Sequence, residues 1–290
     1  MARRTTSLWV DHRFLVELFA LINIGGLTAD IYLAHSMNLF RERAEYIPLI
    51  VSLTAPVLLI AGAWCYSRGS MRAWAFLGHV AGWTCILVGI AGAMYHLESS
   101  FFQARTLSSL VYSAPFAAPL AYTGLGLLLV MNRMVAPDDP EWAYWVLLLA
   151  LGGYLGNFIF SVTDHAQNGF YYRIEWVAVI TGAFGVGFLF IPFVRRVTRP
   201  YILCCAAVMV VGAVVGVVGC GLHVAADLGA SEPSLFGRVV YGAPVFAPLL
   251  FVDMAVLALI GLGVLFTQTP PVPSGRADGK VPPATTRARS

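Results

Sequence analysis

Long apolar runs separated by short polar connections organise the sequence from residue 14 to residue 266. A helix needs about 20 residues to cross the hydrocarbon core of a bilayer. Eight segments meet that length: 14–36, 46–66, 73–97, 111–131, 143–165, 174–194, 201–224 and 239–266. None alternates apolar and polar residues as the strands of a membrane β-barrel would. The pattern predicts an all-α integral membrane protein with eight transmembrane helices and the lipid bilayer as its first partner.

Composition agrees. Apolar residues make up 59% of the 290-residue chain and charged residues 11%, against about 25% charged in soluble domains. Mean hydropathy is +0.77. These values set aside a soluble enzyme, a nucleic-acid-binding protein and a disordered chain. The first apolar run follows Arg3 and Arg4 and lacks a small-residue cleavage site, so it reads as a retained first helix. Five cysteines, all in apolar stretches and without a CxxC or CxxCH spacing, exclude a disulfide framework and covalent c-type haem.

Charge sets the orientation. Arg3, Arg4, Arg13, Arg68, Arg72, Arg133, Arg195, Arg196, Arg199 and the four basic residues after 267 fall on one side of the eight spans. Only Arg41, Arg43, Arg105, Arg173 and Arg238 fall on the other. By the positive-inside rule the chain sits in the cytoplasmic (inner) membrane with both termini in the cytoplasm. Residues 1–13 form a cytoplasmic N-terminus, and the Pro-rich, polar residues 267–290 form a disordered cytoplasmic tail.

The chain also repeats itself. At a shift of 130 residues Gly26, His35, Asn38, Phe40, Arg43 and Glu45 fall on Gly156, His165, Asn168, Phe170, Arg173 and Glu175, an ungapped H-x2-N-x-F-x2-R-x-E. At 127, Gly89, Gly92 and His96 fall on Gly216, Gly219 and His223. At 129, YSAPFAAPL from Tyr112 falls on YGAPVFAPL from Tyr241. Such scarce polar residues do not coincide by chance. Duplication of a four-helix unit follows, with halves at 14–135 and 143–266. An even number of spans in each makes the repeats parallel, related by a pseudo-two-fold axis along the membrane normal.

What both halves keep is the candidate chemistry. His35, His96, His165 and His223 close the odd-numbered helices at their extracytoplasmic ends and so share one depth. Gly89 and Gly92, like Gly216 and Gly219, precede a histidine by seven and four residues, on the same helical face. That bare face suits a flat macrocycle ligated by the histidine; close helix packing through small residues is the plain alternative. Arg43, Arg105, Arg173 and Arg238 supply cations for outward propionates, although Arg43 and Arg173 also have local pairing distance to Glu45 and Glu175.

These features point to a redox subunit holding haem b in bis-histidine sites, His35 with His96 and His165 with His223. Such a subunit would exchange electrons with membrane or periplasmic redox subunits, or with quinone. A chlorophyll-type ring asks for the same ligands. A Cu, Zn or Fe ion is the competing occupant, though no compact metal motif such as HExxH is present. The only histidine pair on one helix, His79 and His96, is 17 residues apart, so no haem ladder crosses the membrane. Two other functions stay open: a transporter using Asp30, Asp253 and His79 as a proton or ion route, and a structural or assembly subunit of a membrane complex. Pro115 and Pro119, matched by Pro244 and Pro248, predict bends in the fourth and eighth spans near the histidine layer. No nucleophile–base constellation or phosphate loop appears, so side-chain catalysis alone is not expected.

Overall fold

The computed structural model describes residues 11–99, 101–111 and 115–271; Tyr112, Arg3, Arg4 and the basic residues of the tail lie outside them. The described residues form helices joined by turns and loops, without a strand. The helices are α1 (His12–Ser36), α2 (Tyr46–Ser67), α3 (Met71–Ser99), α4 (Phe101–Ala104), α5 (Leu107–Val111), α6 (Leu120–Met134), α7 (Pro140–Gln167), α8 (Glu175–Val194), α9 (Arg199–Gly229), α10 (Leu235–Tyr241) and α11 (Leu249–Gln268). Among the described residues seven are long and apolar enough to cross a membrane. Helix α6, with 15 residues, spans about 22 Å and is shorter than the roughly 30 Å hydrocarbon core.

The fourth and eighth segments therefore differ from expectation. The predicted span 111–131 is divided: α5 ends at Val111, residues 116–119 form a turn, and α6 begins at Leu120 with Pro119 as its cap. The predicted span 239–266 is likewise α10, a turn, and α11 capped by Pro248. The prolines start these helices instead of bending them. Proline has no N–H to give, which costs nothing in a first turn and much in an interior one.

Sequence chemistry explains the other ends. Asp11 caps α1 by accepting the Arg13 N–H at 3.0 Å, and Asp139 caps α7 through Glu141 N at 2.9 Å. Helix α1 packs on α2 and α6, and α3 on α2 and α6; α7 packs on α8 and α11, and α9 on α8 and α11. The two groups meet where α6 touches α7 and α1 touches α11. The shared core there holds Val16, Ala20 and Ile24 with Leu128, Leu129, Val146, Leu147, Ala258 and Leu262. Short helices cross between the groups: α5 rests on α7, where Gln167 donates to the Val111 carbonyl at 2.9 Å, and α10 rests on α1.

The outward faces are apolar. Val210, Val214 and Val217 on α9 are 51–59% exposed, and Ile50, Leu53, Val57 and Ile60 on α2 behave alike. A helix in water would turn polar residues to that side. Exposed aliphatic side chains on helices of this length are the surface of a multi-pass membrane protein.

Candidate functional site

The H-x2-N-x-F-x2-R-x-E stretch folds into one compact turn, seen twice. After α1 the chain reverses through Leu39 (φ 61°) and Phe40 (φ 51°), and the Phe40 N–H returns to the His35 carbonyl at 3.1 Å. Asn38 Nδ2 donates to Glu45 Oε1 at 2.8 Å, and the Phe40 ring stacks on Tyr46 at 4.8 Å beside His35. After α7, Gly169 (φ 70°) and Phe170 (φ 55°) do the same, with Phe170 N on the His165 carbonyl at 2.9 Å. Asn168 Nδ2 meets Glu175 Oε1 at 2.9 Å, and Phe170 stacks on Trp176 at 4.2 Å. Left-handed backbone costs Leu39 more than Gly169, yet the turn is kept in both.

The second turn brings its glutamate near its histidine. Glu175 Oε2 lies 3.8 Å from His165 Nδ1. In the other turn Glu45 is near enough to His35 for their charges to interact. The second carboxylate oxygen of both glutamates, and His35 Nδ1, are buried without a hydrogen-bond partner. Asn168 thus holds Glu175 beside the Nδ1 side of His165, beyond hydrogen-bond distance.

His96 and His223 are oriented by a different device, again twice. His96 Nδ1 donates to the Pro115 carbonyl at 3.0 Å, and His223 Nδ1 to the Pro244 carbonyl at 2.9 Å. These carbonyls can take a second donor because residue i+4 is Pro119 or Pro248; among the described residues each accepts, besides the histidine, only the i+3 N–H, from Ala118 or Ala247. A carbonyl can only accept, so Nδ1 carries a proton in both.

Two of the histidines lie side by side. The His35 and His96 rings lie 6.3 Å apart at 88°. His165 and His223 are close enough for their charges to interact, and Asp164 acts on His223. Two imidazoles on one metal have ring centres about 6 Å apart, given metal–nitrogen bonds of about 2 Å. Among the described residues, however, no three His, Cys, Asp or Glu side chains converge on a metal position. Each pair alone offers two nitrogens, too few for zinc, which takes four ligands. Two suffice for haem iron, whose ring supplies the rest.

The glycines do something other than seat a ring. A Cβ on Gly89 would lie 2.8 Å from the Pro119 carbonyl oxygen and 2.6 Å from Thr123 N, and one on Gly92 would lie 2.9 Å from Pro119 Cβ. On Gly216 and Gly219 it would meet Pro248 O at 2.7 Å and Pro248 Cβ at 3.0 Å. The bare faces of α3 and α9 are filled by the starts of α6 and α11. They are packing surfaces, and no macrocycle lies there. Arg43, Arg105 and Arg173 are exposed, and Arg238 spends its donors on Glu232 O and Leu228 O of its own loop. The expected Arg43–Glu45 and Arg173–Glu175 pairs do not form among the described residues, because Asn38 and Asn168 hold those carboxylates.

Asp30, Asp253 and His79 sit on α1, α11 and α3, and no hydrogen bond or ion pair joins them among the described residues. Asp164 lines a cavity of about 70 Å³ between Pro115 and Phe116 on one side and Phe160 and Thr163 on the other. It is far too small for a tetrapyrrole.

At the opposite end of the bundle lies a charged cluster the sequence reading passed over. Arg133 grips Glu17 with both terminal nitrogens, at 2.7 and 3.0 Å, and its side chain is 1% exposed. Asn132 Nδ2 also donates to Glu17 Oε1 at 3.1 Å, while Trp142 Nε1 donates to Asn132 Oδ1 at 3.3 Å. The Arg133 guanidinium lies 4.7 Å over Trp74, in space that Gly78 leaves open. Four helices are joined here. An acidic residue within the first apolar run was the available signal.

The chain matches no known family model, no curated protein and no solved structure.

Proposed function

We propose that this chain is a membrane redox subunit carrying one haem b in each half, bound by His35 with His96 and by His165 with His223. It would take part in electron transfer with membrane or periplasmic redox subunits, or with quinone. In this reading the two groups of helices are parallel four-helix halves of a duplicated, eight-span protein, with α6 as a shortened fourth span. The histidines lie on the extracytoplasmic side and both termini in the cytoplasm. The observation that carries the proposal is the doubled orientation of the imidazoles. In each half a carbonyl freed by proline holds the Nδ1 of one histidine, and in the second half Glu175 lies 3.8 Å from the Nδ1 of the other. Paired imidazoles 6.3 Å apart also support it.

The filled glycine faces favour a smaller occupant, a copper or iron ion, as the second reading. A reduced-minus-oxidised spectrum of the detergent-purified protein, with pyridine haemochrome and metal quantification, separates the two. One haem b per histidine pair, with half lost in His96→Ala and half in His223→Ala, is expected. Colourless protein with stoichiometric copper or iron transfers the role to a bare ion. Folded protein isolated without chelator and holding neither would refute the redox function.

A further inference from the structure

We infer that the second half admits water from its histidine end to the middle of the membrane, along one face of α7, and that the first half does not. Such a path is independent of what the histidines bind.

Ser161, Asn157 and Tyr154 precede His165 by four, eight and eleven residues. On a helix they fall within about 80° of one another and reach about 6, 12 and 16 Å inward from the histidine. All three are buried, at 8%, 5% and 1% exposure, and Tyr154 stands half-way along α7. The Tyr154 ring enters the crossing of α8 and α9: a Cβ on Gly185 would overlap it, and one on Gly212 would lie 2.7 Å from its hydroxyl. Among the described residues neither that hydroxyl nor Asn157 Nδ2 has a hydrogen-bond partner. An unmet polar group is costly in a protein interior, and more so where the surroundings are hydrocarbon. Internal water meets such groups, about three to a molecule.

The repeat supplies the comparison. At the same registers of α1 stand Ile31, Leu27 and Ile24, an apolar face. Two polar residues nearby on α1 have partners: Asn23 donates to the Phe19 carbonyl at 3.0 Å, and Thr28 to Ser52 Oγ at 3.1 Å. Asp30 lies about 100° round the helix from Ile31. The second half has thus exchanged three apolar residues for polar ones on a single face. A contact between helices gains nothing from donors that no neighbouring helix accepts, whereas water gains from each of them.

The path has a floor. Ala150, Leu147 and Ala143 continue the Tyr154 face toward the other end of α7, and all are fully buried. Water reaching Tyr154 stops there, among side chains that offer it no hydrogen bond. Access to the membrane centre from one side, closed on the other, brings in water and the protons relayed through it without opening a leak. The ligand is a short file of water molecules held by a serine hydroxyl, an amide and a phenol.

Two measurements on the full chain test this. The first is X-ray hydroxyl-radical footprinting in heavy-oxygen water, read by peptide mass spectrometry. Tyr154 should take up heavy oxygen. Tyr122, also buried but donating to the Pro48 carbonyl at 2.7 Å, should not. The second is the silver-ion reactivity of single cysteines in oriented proteoliposomes, in a chain whose own cysteines are replaced by alanine. From the histidine side Ser161→Cys should react faster than Asn157→Cys, while Leu27→Cys, Ile31→Cys and Ala150→Cys should not react. Tyr154 as unlabelled as Tyr122 would overturn the inference on the parent chain, whatever the variants do. Reaction at Leu27→Cys or Ile31→Cys would make the two halves alike, and reaction at Ala150→Cys would remove the floor; either overturns it as well. None of these readings involves a bound centre, so the cofactor sites stand or fail separately.

Discussion

The Glu17–Arg133 pair offers a test of the packing that needs no cofactor, because the chain contains its own comparison. At the repeat registers, Glu17 falls on Leu147, Asn132 on Gly261 and Arg133 on Leu262. Those residues also meet: a Cβ on Gly261 would lie 3.0 Å from Leu147 Cδ2, and Leu147 and Leu262 are both fully buried. The contact between α1 and α6 is thus ionic, and that between α7 and α11 is apolar. Removing one partner of a buried ion pair strands the other charge and costs about 3–5 kcal/mol, whereas replacing both with packed apolar residues is often neutral or better.

Glu17→Leu and Arg133→Leu should therefore each destabilise the protein by about 3–5 kcal/mol. The double variant should lie within about 1–2 kcal/mol of the parent, its main cost a guanidinium-sized void of roughly 50 Å³ at about 24 cal/mol per Å³. Gly78→Ala belongs to the same cycle. Its methyl would overlap the Arg133 guanidinium, which is pinned by Glu17 and Trp74 and has no easy retreat. It should be destabilising in the parent and close to neutral in the double variant. Reversible unfolding in SDS micelles, followed by the fluorescence of the buried Trp74 and Trp142, measures all of these. Additive losses in the double variant would show that the pair is not coupled, and that the geometry around Glu17 has been misread.

Three further outcomes follow from the site. Asn38→Ala and Asn168→Ala release the glutamates that face His35 and His165 and should weaken binding about 10–100-fold, each at its own pair; equal loss at both pairs would contradict the division into two sites. Pro119→Ala restores an N–H that competes with His96 for the Pro115 carbonyl, so occupancy of the first pair should fall while the second is unchanged in the absorbance spectrum. Gly89→Ala and Gly216→Ala press a methyl onto the backbone of α6 and α11 and should cost about 1–3 kcal/mol in the same unfolding assay. Gly124→Ala, which meets nothing within 4 Å, should be neutral or slightly stabilising; a loss there equal to that at Gly89 would point to a generic helix effect.

What could be read in advance follows the distance along the chain over which each feature acts. The turn joining His35 to Glu45 closes within eleven residues, so its spacing in the sequence is already its geometry. The same holds for His165 to Glu175. The nearness of His35 to His96 has a similar source, since helices running the same way bring their ends to one level. The glycine faces were not. Spacing tells which side of α3 is bare, but Pro119, which fills it, comes thirty residues after Gly89. Nor does spacing tell whether a proline bends a helix or begins one. That depends on whether the preceding N–H groups find partners, and here the chain before Pro119 and Pro248 turns instead.

Glu17 and Arg133 were hidden for a related reason. They are 116 residues apart, and each alone resembles an ordinary charge at a helix end. Their departure from the repeat was nevertheless visible, and it has a physical meaning. Polar residues held at both registers serve the turns and the imidazoles, because a local hydrogen-bond pattern tolerates few substitutes. Residues that differ between the registers report contacts that can be made in more than one way, ionic at Glu17 and Arg133 and apolar at Leu147 and Leu262. Asp164 and Asp227 also differ between the registers, where Ala34 and Ser100 stand, and Asp227 accepts the Ala243 N–H at 2.7 Å. A repeat that changes at such a point surrounds its two sets of histidines with different charge.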